Sequence, residues 1–373
     1  MFSPDQLAAP PVLDIAPYVP GKPLAELERE LGISDSIKLA SNENPLGPGP
    51  LALAAIAEAA RDIGSYPDAN GFALKQALAR KHAWTTDGVT LGNGSNDVLV
   101  MVAEAFLTPD SEAVYSQYGF AVYPIAVQAT GATAKVAPAL PKGHPMALGH
   151  DLDAMSKLVT PRTRVVFIAN PNNPTGTWIE EGPLRAFLES LPQTTVVVMD
   201  EAYIEYVGDG AFPDSSRWLG EFPNLIVTRT FSKAYGLAGL RVGYALSHPG
   251  IAELMNRVRQ TFNVNSVALA AAQASLDDAQ HLRSTIAVNR AGMQQLLAGL
   301  AALPVAVTPS RGNFVLIDCG RPAMPVYDAM LRQGVIVRPV GNYQLPQHLR
   351  LTIGTQEQNQ RMLGALRNAL GAA

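Results

Sequence analysis

Thr230-Phe231-Ser232-Lys233-Ala234-Tyr235-Gly236-Leu237-Ala238-Gly239-Leu240-Arg241 follows a short apolar run at 225–228. Upstream of it stands Val196-Val197-Val198-Met199-Asp200-Glu201-Ala202-Tyr203. Both apolar runs have the length of strands, and a strand apolar at every position suits burial on both faces, as a parallel sheet provides. Similar runs lie at 113–115, 134–137, 165–169, 195–199 and 242–246, with helix-length segments between several of them. This alternation predicts an α/β domain with a largely parallel central sheet.

Toward the N-terminus, helices are expected at 50–60, 72–82 and 97–106, with a loop at 65–71 marked by its Pro, Asp, Asn and Gly. Residues 1–40 begin Pro-rich (Pro4, Pro10, Pro11, Pro17, Pro20, Pro23) and carry a short helix at 23–31. An arm that crosses to another subunit and a frayed terminus both fit this stretch. Beyond Pro249 one long helix-like stretch runs to about residue 300. Strand-like runs at 305–307, 314–317, 335–337 and 349–353 and a helix at 356–369 follow, which reads as a smaller α+β domain. The expected division is an N-terminal arm joining the small domain (1–40), a large domain (41–262) and a small domain (263–373).

The composition narrows the function. With 373 residues, 47% hydrophobic and 16% charged, the chain is long enough for two packed domains and too apolar for disorder. A net charge of −4 with no Lys/Arg run argues against a nucleic-acid binder, which needs a basic face. The lone cysteine, Cys319, excludes an intrachain disulfide and reads as a buried structural thiol; six scattered His give no metal-ligand spacing, so no metal is expected. No signal peptide and no apolar run of the ~18 residues a span needs are found, so a soluble, cytoplasmic protein without membrane partners is expected.

Several residues could carry chemistry. A lysine just past a buried strand, as Lys233 is, can be held out of water with a neutral amine. Thr230, Ser232 and Arg241 offer the hydroxyls and guanidinium a phosphate monoester requires. Gly92-Asn93-Gly94-Ser95-Asn96-Asp97 opens a helix whose free amides form an anion site, with Gly94 and Ser95 at its mouth. It is not the dinucleotide fingerprint, because Asp97 stands where a third glycine belongs. Asp200 ends an apolar strand and could sit beside a protonated pyridine nitrogen. Tyr203, and Asn173 in the 170–176 loop, could donate to a ring oxygen, and Tyr118 could stack on a ring face. Arg338 and Arg350 suit an anionic substrate. Singly, each could equally be a surface charge, a turn cap or core packing. As a set they supply what pyridoxal 5′-phosphate (PLP) requires: an amine for its aldehyde, a carboxylate for its ring nitrogen, donors to its ring oxygen and an anion clamp.

The chain resembles the fold type I PLP-dependent aminotransferases, and within them the histidinol-phosphate group. The resemblance rests on the Tyr-Val-Pro-Gly-Lys run at 18–22, Ser41-Asn42-Glu43-Asn44-Pro45-Leu46-Gly47, Tyr66-Pro67-Asp68, Asn173-Pro174-Thr175-Gly176, Asp200 to Tyr203, the lysine segment, Phe262-Asn263-Val264-Asn265, Gly312-Asn313-Phe314 and residues 338–354. It implies that fold, a large domain with a mostly parallel sheet plus a smaller α+β domain. It implies that Lys233 holds the cofactor aldehyde and then moves a proton between Cα and C4′. Asp200 would pair with the ring nitrogen, and Asn173 and Tyr203 with O3′. Gly94, Ser95, Thr230, Ser232 and Arg241 would hold the phosphate. Tyr66 would enter from the partner of a homodimer. Arg350 would bind the anionic end of the substrate, aided by Arg338, Tyr18 and Asn44. The implied reaction is transamination of L-histidinol phosphate with 2-oxoglutarate, giving imidazole acetol phosphate and glutamate, in histidine biosynthesis. An aromatic or broad-range aminotransferase is the alternative. Gln344 stands where the resembled family often has glycine.

Overall fold

The computed structural model describes residues 4–18, 20–208 and 212–371. Val19, inside the motif at 18–22, and residues 1–3 of the expected arm lie outside the described residues, as do the last two residues of the expected small domain. In chain order the strands are β1 (Ile37–Lys38), β2 (Val89–Gly92), β3 (Glu112–Ser116), β4 (Thr133–Ala137), β5 (Thr163–Ala169), β6 (Val196–Asp200), β7 (Leu225–Thr230), β8 (Gly243–Ser247), β9 (Ala306–Thr308), β10 (Phe314–Asp318), β11 (Val335–Ile336), β12 (Arg338–Pro339) and β13 (His348–Thr352).

Seven of them form the central sheet in the order β2-β8-β7-β6-β5-β3-β4. β8 runs antiparallel to both its neighbours, and every other adjacent pair is parallel. The apolar runs of β5, β6 and β7 are explained by a period of two. Val166, Ile168, Val197, Met199, Leu225 and Val227 face one hydrophobic core. Val165, Phe167, Ala169, Val196, Val198 and Ile226 face another on the opposite side. Burying each such side chain contributes roughly 1.5–3 kcal/mol, so a single-residue slip in these strands would exchange two full sets of contacts. Helices Phe72–His82, Glu181–Ser190 and Ser266–Asp277 supply the first core; Ser95–Phe106, Val122–Ala129 and Pro249–Val258 supply the second.

A second sheet, β12-β13-β10-β9, is antiparallel throughout. Its apolar face (Val315, Ile317, Leu349, Leu351) packs with Leu296, Leu300, Met362 and Leu366 from helices Ala279–Leu300 and Gln356–Leu370. The last helix starts on a capping box between Thr355 and Gln358. Cys319 is buried in this core, and burial pushes its thiol up to about 11. β1 pairs in parallel with β11, tying the N-terminal segment to this half.

Three features depart from the sequence expectations. The single helix expected from 249 to about 300 is three: Pro249–Val258, Ser266–Asp277 and Ala279–Leu300. Asn265 and Asp278 start the later two by accepting from the backbone N–H of Ala268 and His281. The strand expected at 335–337 is the shorter β11 at 335–336, paired with β1, and a separate strand, β12 at 338–339, follows it paired with β13. The core of the large sheet also continues past residue 262, because Val264, Ala268, Ala271 and Ala272 belong to it.

Candidate active site

Ligands of open parallel sheets bind beyond the carboxyl ends of the strands. Here β5, β6 and β7 end at a cavity of about 270 Å³. β7 stops at Thr230 and the chain turns through Gly236, whose φ of +72° lies in the left-handed region. A Cβ at Gly236 would run into the backbone of Gly47. This turn leaves Lys233 half-buried in the cavity wall, with its amine donating to Ser41 O at 3.0 Å. Burial, then the nearby Arg350 and Arg241 cations, pull its pKa down to about 7 against the opposing pull of Glu43.

β6 delivers Asp200 to the same cavity. Its Oδ2 accepts from the Tyr123 hydroxyl at 2.9 Å and its Oδ1 from Thr228 Oγ1 at 3.3 Å. Burial raises its pKa to about 6 despite these donors. Three residues on, Tyr203 packs edge-on to Phe314, with centroids 5.2 Å apart, and its hydroxyl accepts from Asn42 Nδ2 at 2.8 Å. Burial pushes this phenol up to about 12. Asn42 is left-handed (φ 55°) and also bonds Thr352 through its own N–H (3.0 Å) and Oδ1 (3.0 Å), while its C=O accepts from Asn313 Nδ2 at 3.0 Å.

After β5, the loop of Asn and Pro residues is held from within: Asn170 exchanges two hydrogen bonds with Ile179, and Asn172 Nδ2 donates to Tyr118 O and Thr175 Oγ1. It presents Asn173, whose Oδ1 accepts from Arg350 Nη1. Arg350 also donates to Ala40 O at 2.6 Å, stands 5.4 Å from the Phe314 ring centre, and has a buried Nε without an acceptor among the described residues. The Arg338 guanidinium lies 5.6 Å from the centre of the Tyr18 ring.

A second cationic cluster lies where helix Ser95–Phe106 begins. Gly94, with φ 81° and ψ 162°, is the residue before it and caps it with no side chain, so its first N–H groups stay available to an anion. A Cβ on Gly94 would strike the Arg241 guanidinium. Arg241 donates to Ser232 Oγ at 3.3 Å and Ala238 O at 3.1 Å, and Ser232 N donates to Thr230 Oγ1 at 3.1 Å. A buried amine, a buried carboxylate, a phenol and two cationic corners in one cavity suit a planar, anionic, carbonyl-bearing ligand.

Residues 34–366 match the model of the family described as aminotransferase class I and II. The chain belongs to the class I and II aminotransferases. It is 55% identical over 369 residues to histidinol-phosphate aminotransferase 2 of Pseudomonas fluorescens, covering 98% of each chain. It is also 54% identical over 366 residues to the protein of the same name from Pseudomonas aeruginosa, again covering 98% of each. The solved histidinol-phosphate aminotransferase of Sinorhizobium meliloti, in complex with pyridoxal-5'-phosphate, superposes with a TM-score of 0.88 at 31% identity over 97% of both chains. Aspartate aminotransferase of Thermus thermophilus, at 22% identity and TM-score 0.83, shares the fold.

In this aminotransferase the cavity wall brings together Lys233, Asp200, Asn173 and Tyr203, then Ser95, Thr230, Ser232 and Arg241, then Tyr18, Arg338 and Arg350. Gly94 lies directly behind it, against Arg241. Tyr118 and Asn44 lie outside this wall, as does Tyr66, whose expected place is the partner's site. Tyr118 packs against Leu316, Val340 and Leu345, and Phe120, two residues on, lines the cavity in its place. Asn44 turns its amide to Ala234 O (2.9 Å) and Thr285 Oγ1 (3.0 Å), bracing the backbone beside Lys233, while Asn42 lines the cavity. Tyr66 is 83% exposed and stacks on Phe262 with centroids 4.6 Å apart, outside this chain's cavity. Sequence reasoning misses Tyr123, Thr228 and Asn42; only Asn42 carries a signal, its place in the 41–47 motif. Gln344 is left-handed (φ 62°), the backbone state that glycine adopts without strain.

Proposed function

We propose that this enzyme transfers the amino group of L-histidinol phosphate to 2-oxoglutarate, giving imidazole acetol phosphate and glutamate for histidine biosynthesis, with PLP held in the cavity. The observation that carries the reading is the half-buried Lys233, its amine pKa pulled down to about 7 by desolvation, in one wall with buried Asp200 and two cationic corners. The names and identities of the relatives support the substrate.

The residues fit the cofactor. The Arg241, Ser232 and Thr230 corner, with the helix amides after Gly94, suits its phosphate. Arg350 keeps a buried donor without an acceptor, as a site for a substrate anion would. Bound PLP supplies an electron-withdrawing ring conjugated to the substrate Cα. Lys233, whose pKa desolvation brings down to about 7 so that a neutral amine is accessible, takes the proton from the substrate Cα. Asp200 holds positive charge at the ring nitrogen; Asn173 and Tyr203 hold the ring oxygen. Arg350, with Arg338 and Tyr18, orients the substrate anion.

The same reading extends to assembly. Tyr66, stacked on Phe262, is an exposed aromatic pair that a second copy would cover, so the active unit is a homodimer with Tyr66 serving the partner's site. The proposed large domain starts at residue 41 and its core reaches helix Ser266–Asp277, and the segment just before residue 41 joins the small domain through β1 and β11. Among the described residues no helix is long and apolar enough to cross a membrane; the cytoplasm is the proposed location.

The test is absorbance and borohydride reduction of the purified protein, then a panel of amino donors with 2-oxoglutarate. Histidinol phosphate should be preferred; a strong preference for phenylalanine overturns the substrate, and failure to take up PLP overturns the whole reading.

A further inference from the structure

Tyr123 is fully buried in helix Val122–Ala129 and takes part in no step described above. Its ring is stacked on Phe167 of β5, with centroids 4.9 Å apart and planes 15° apart. Phe120 meets it edge-on at 6.0 Å and Tyr115 lies tilted at 6.4 Å. These contacts leave the ring little room to turn, and they aim its hydroxyl at Asp200 Oδ2, 2.9 Å away. Burial and the Asp200 charge keep the phenol well above its ordinary pKa, so it stays protonated and donates. Thr228 Oγ1, the backbone N–H of Ala202, the like charge of Glu201 and the Tyr203 phenol also act on the carboxylate. Tyr123 gives the shorter of its two side-chain bonds, and no cation pairs with Asp200 among the described residues.

We propose that Tyr123 is a positioning residue for the ring nitrogen of the cofactor, acting through Asp200. This rests on the PLP reading above. A buried carboxylate keeps its charge only while donors face it. With one oxygen held by Tyr123 and the other by Thr228, Asp200 is fixed in rotation and kept ionised, the state in which it holds a proton on a ring nitrogen. Substrate contacts run through Arg350 on β13, Arg338 on β12 and Tyr18 before β1, all outside the helix of Tyr123.

The test is Tyr123→Phe, which removes the hydroxyl and keeps the ring on Phe167. Parent and variant are loaded with ¹⁵N-labelled PLP and the ring-nitrogen chemical shift is followed against pH; kcat and KM are measured alongside. A hydrogen bond to a charged group corresponds to about one to two pKa units, so the midpoint of ring-nitrogen deprotonation should fall by about that much and kcat by about 10- to 100-fold. KM for the amino donor should stay within about twofold, since uniform binding is untouched. If Tyr123→Phe unfolds, Tyr123→Trp and Thr228→Val, read by the same nitrogen shift in whichever folds, decide the matter. A folded variant whose nitrogen titrates as in the parent overturns the proposal while leaving the PLP reading intact. A parent that takes up no PLP overturns both.

Discussion

The amine of Lys233 donates to the carbonyl oxygen of Ser41, 3.0 Å away across 192 positions of chain. Its hydrogen-bond partner is thus neutral, and among the described residues it makes no ion pair. Burial outweighs that single bond, so the amine is poised for loss of its proton.

That balance makes stability pH-dependent. The folded pKa is about 7 against 10.5 for an ordinary lysine. Between these values the unfolded chain binds more protons, so the destabilisation from Lys233 is full below pH 7 and relieved as pH rises toward 10.5. Urea midpoints of cofactor-free Lys233→Met should therefore exceed those of the parent at about pH 7 and converge with them above about pH 10. In the same variant, transamination should fall by at least about 10²–10⁴-fold; near-parental turnover would mean that another amine does the work.

Gly94→Ala strains the backbone, because φ 81° with ψ 162° is essentially confined to glycine. The added methyl also meets the Arg241 guanidinium. A stability loss of about 1–3 kcal/mol is expected from the backbone strain, measured by urea unfolding. Weaker PLP affinity, read by titrating the cofactor-free protein, should accompany it.

Arg229 is buried and bonds Glu201 Oε2 through Nε (3.0 Å) and Nη2 (2.7 Å), with Asp214 as a further partner. Arg229→Met leaves Glu201 charged in the interior, which should cost about 3–5 kcal/mol. Adding Glu201→Leu should recover part of that loss in chemical denaturation. A double variant no more stable than the single one would mean that the pair is not the source.

Tyr66→Ala and Lys233→Ala damage the same active site from different chains if the enzyme is a homodimer. Each should be weakly active alone. Subunits mixed and allowed to exchange should regain activity, rising toward about a quarter of the parental value, because half of the dimers then carry one intact site of two. A mixture no better than the average of its parts would place Tyr66 outside the partner's site.

The strands were legible because β5, β6 and β7 each hold an unbroken apolar run (165–169, 196–199 and 225–227), and a run that short and that apolar needs a core on each side. Residues at the strand ends, such as Asp200, could be placed from chain position alone. The direction of side chains in loops was not legible. Tyr118 and Phe120 lie two apart and both are aromatic, and only the packing of Tyr118 against Val340 and Leu345 decides which one lines the cavity. Asn42 and Asn44 are exchanged for the same reason. The break at Asp278 was hidden by the alanine-rich stretch at 266–277 before it, which favours helix up to the cap.

Asn42 has one further effect, on the polarity of a hydroxyl. Since its amide hydrogen already occupies a lone pair of the Tyr203 oxygen, the phenol's own hydrogen is left to point into open space toward a guest. Asn42 itself is oriented by Thr352, 310 positions away at the far end of the chain. The pocket therefore acquires a defined donor only once its distant C-terminal strand has docked, and a fragment lacking that strand would carry the right tyrosine with no preferred direction of bonding.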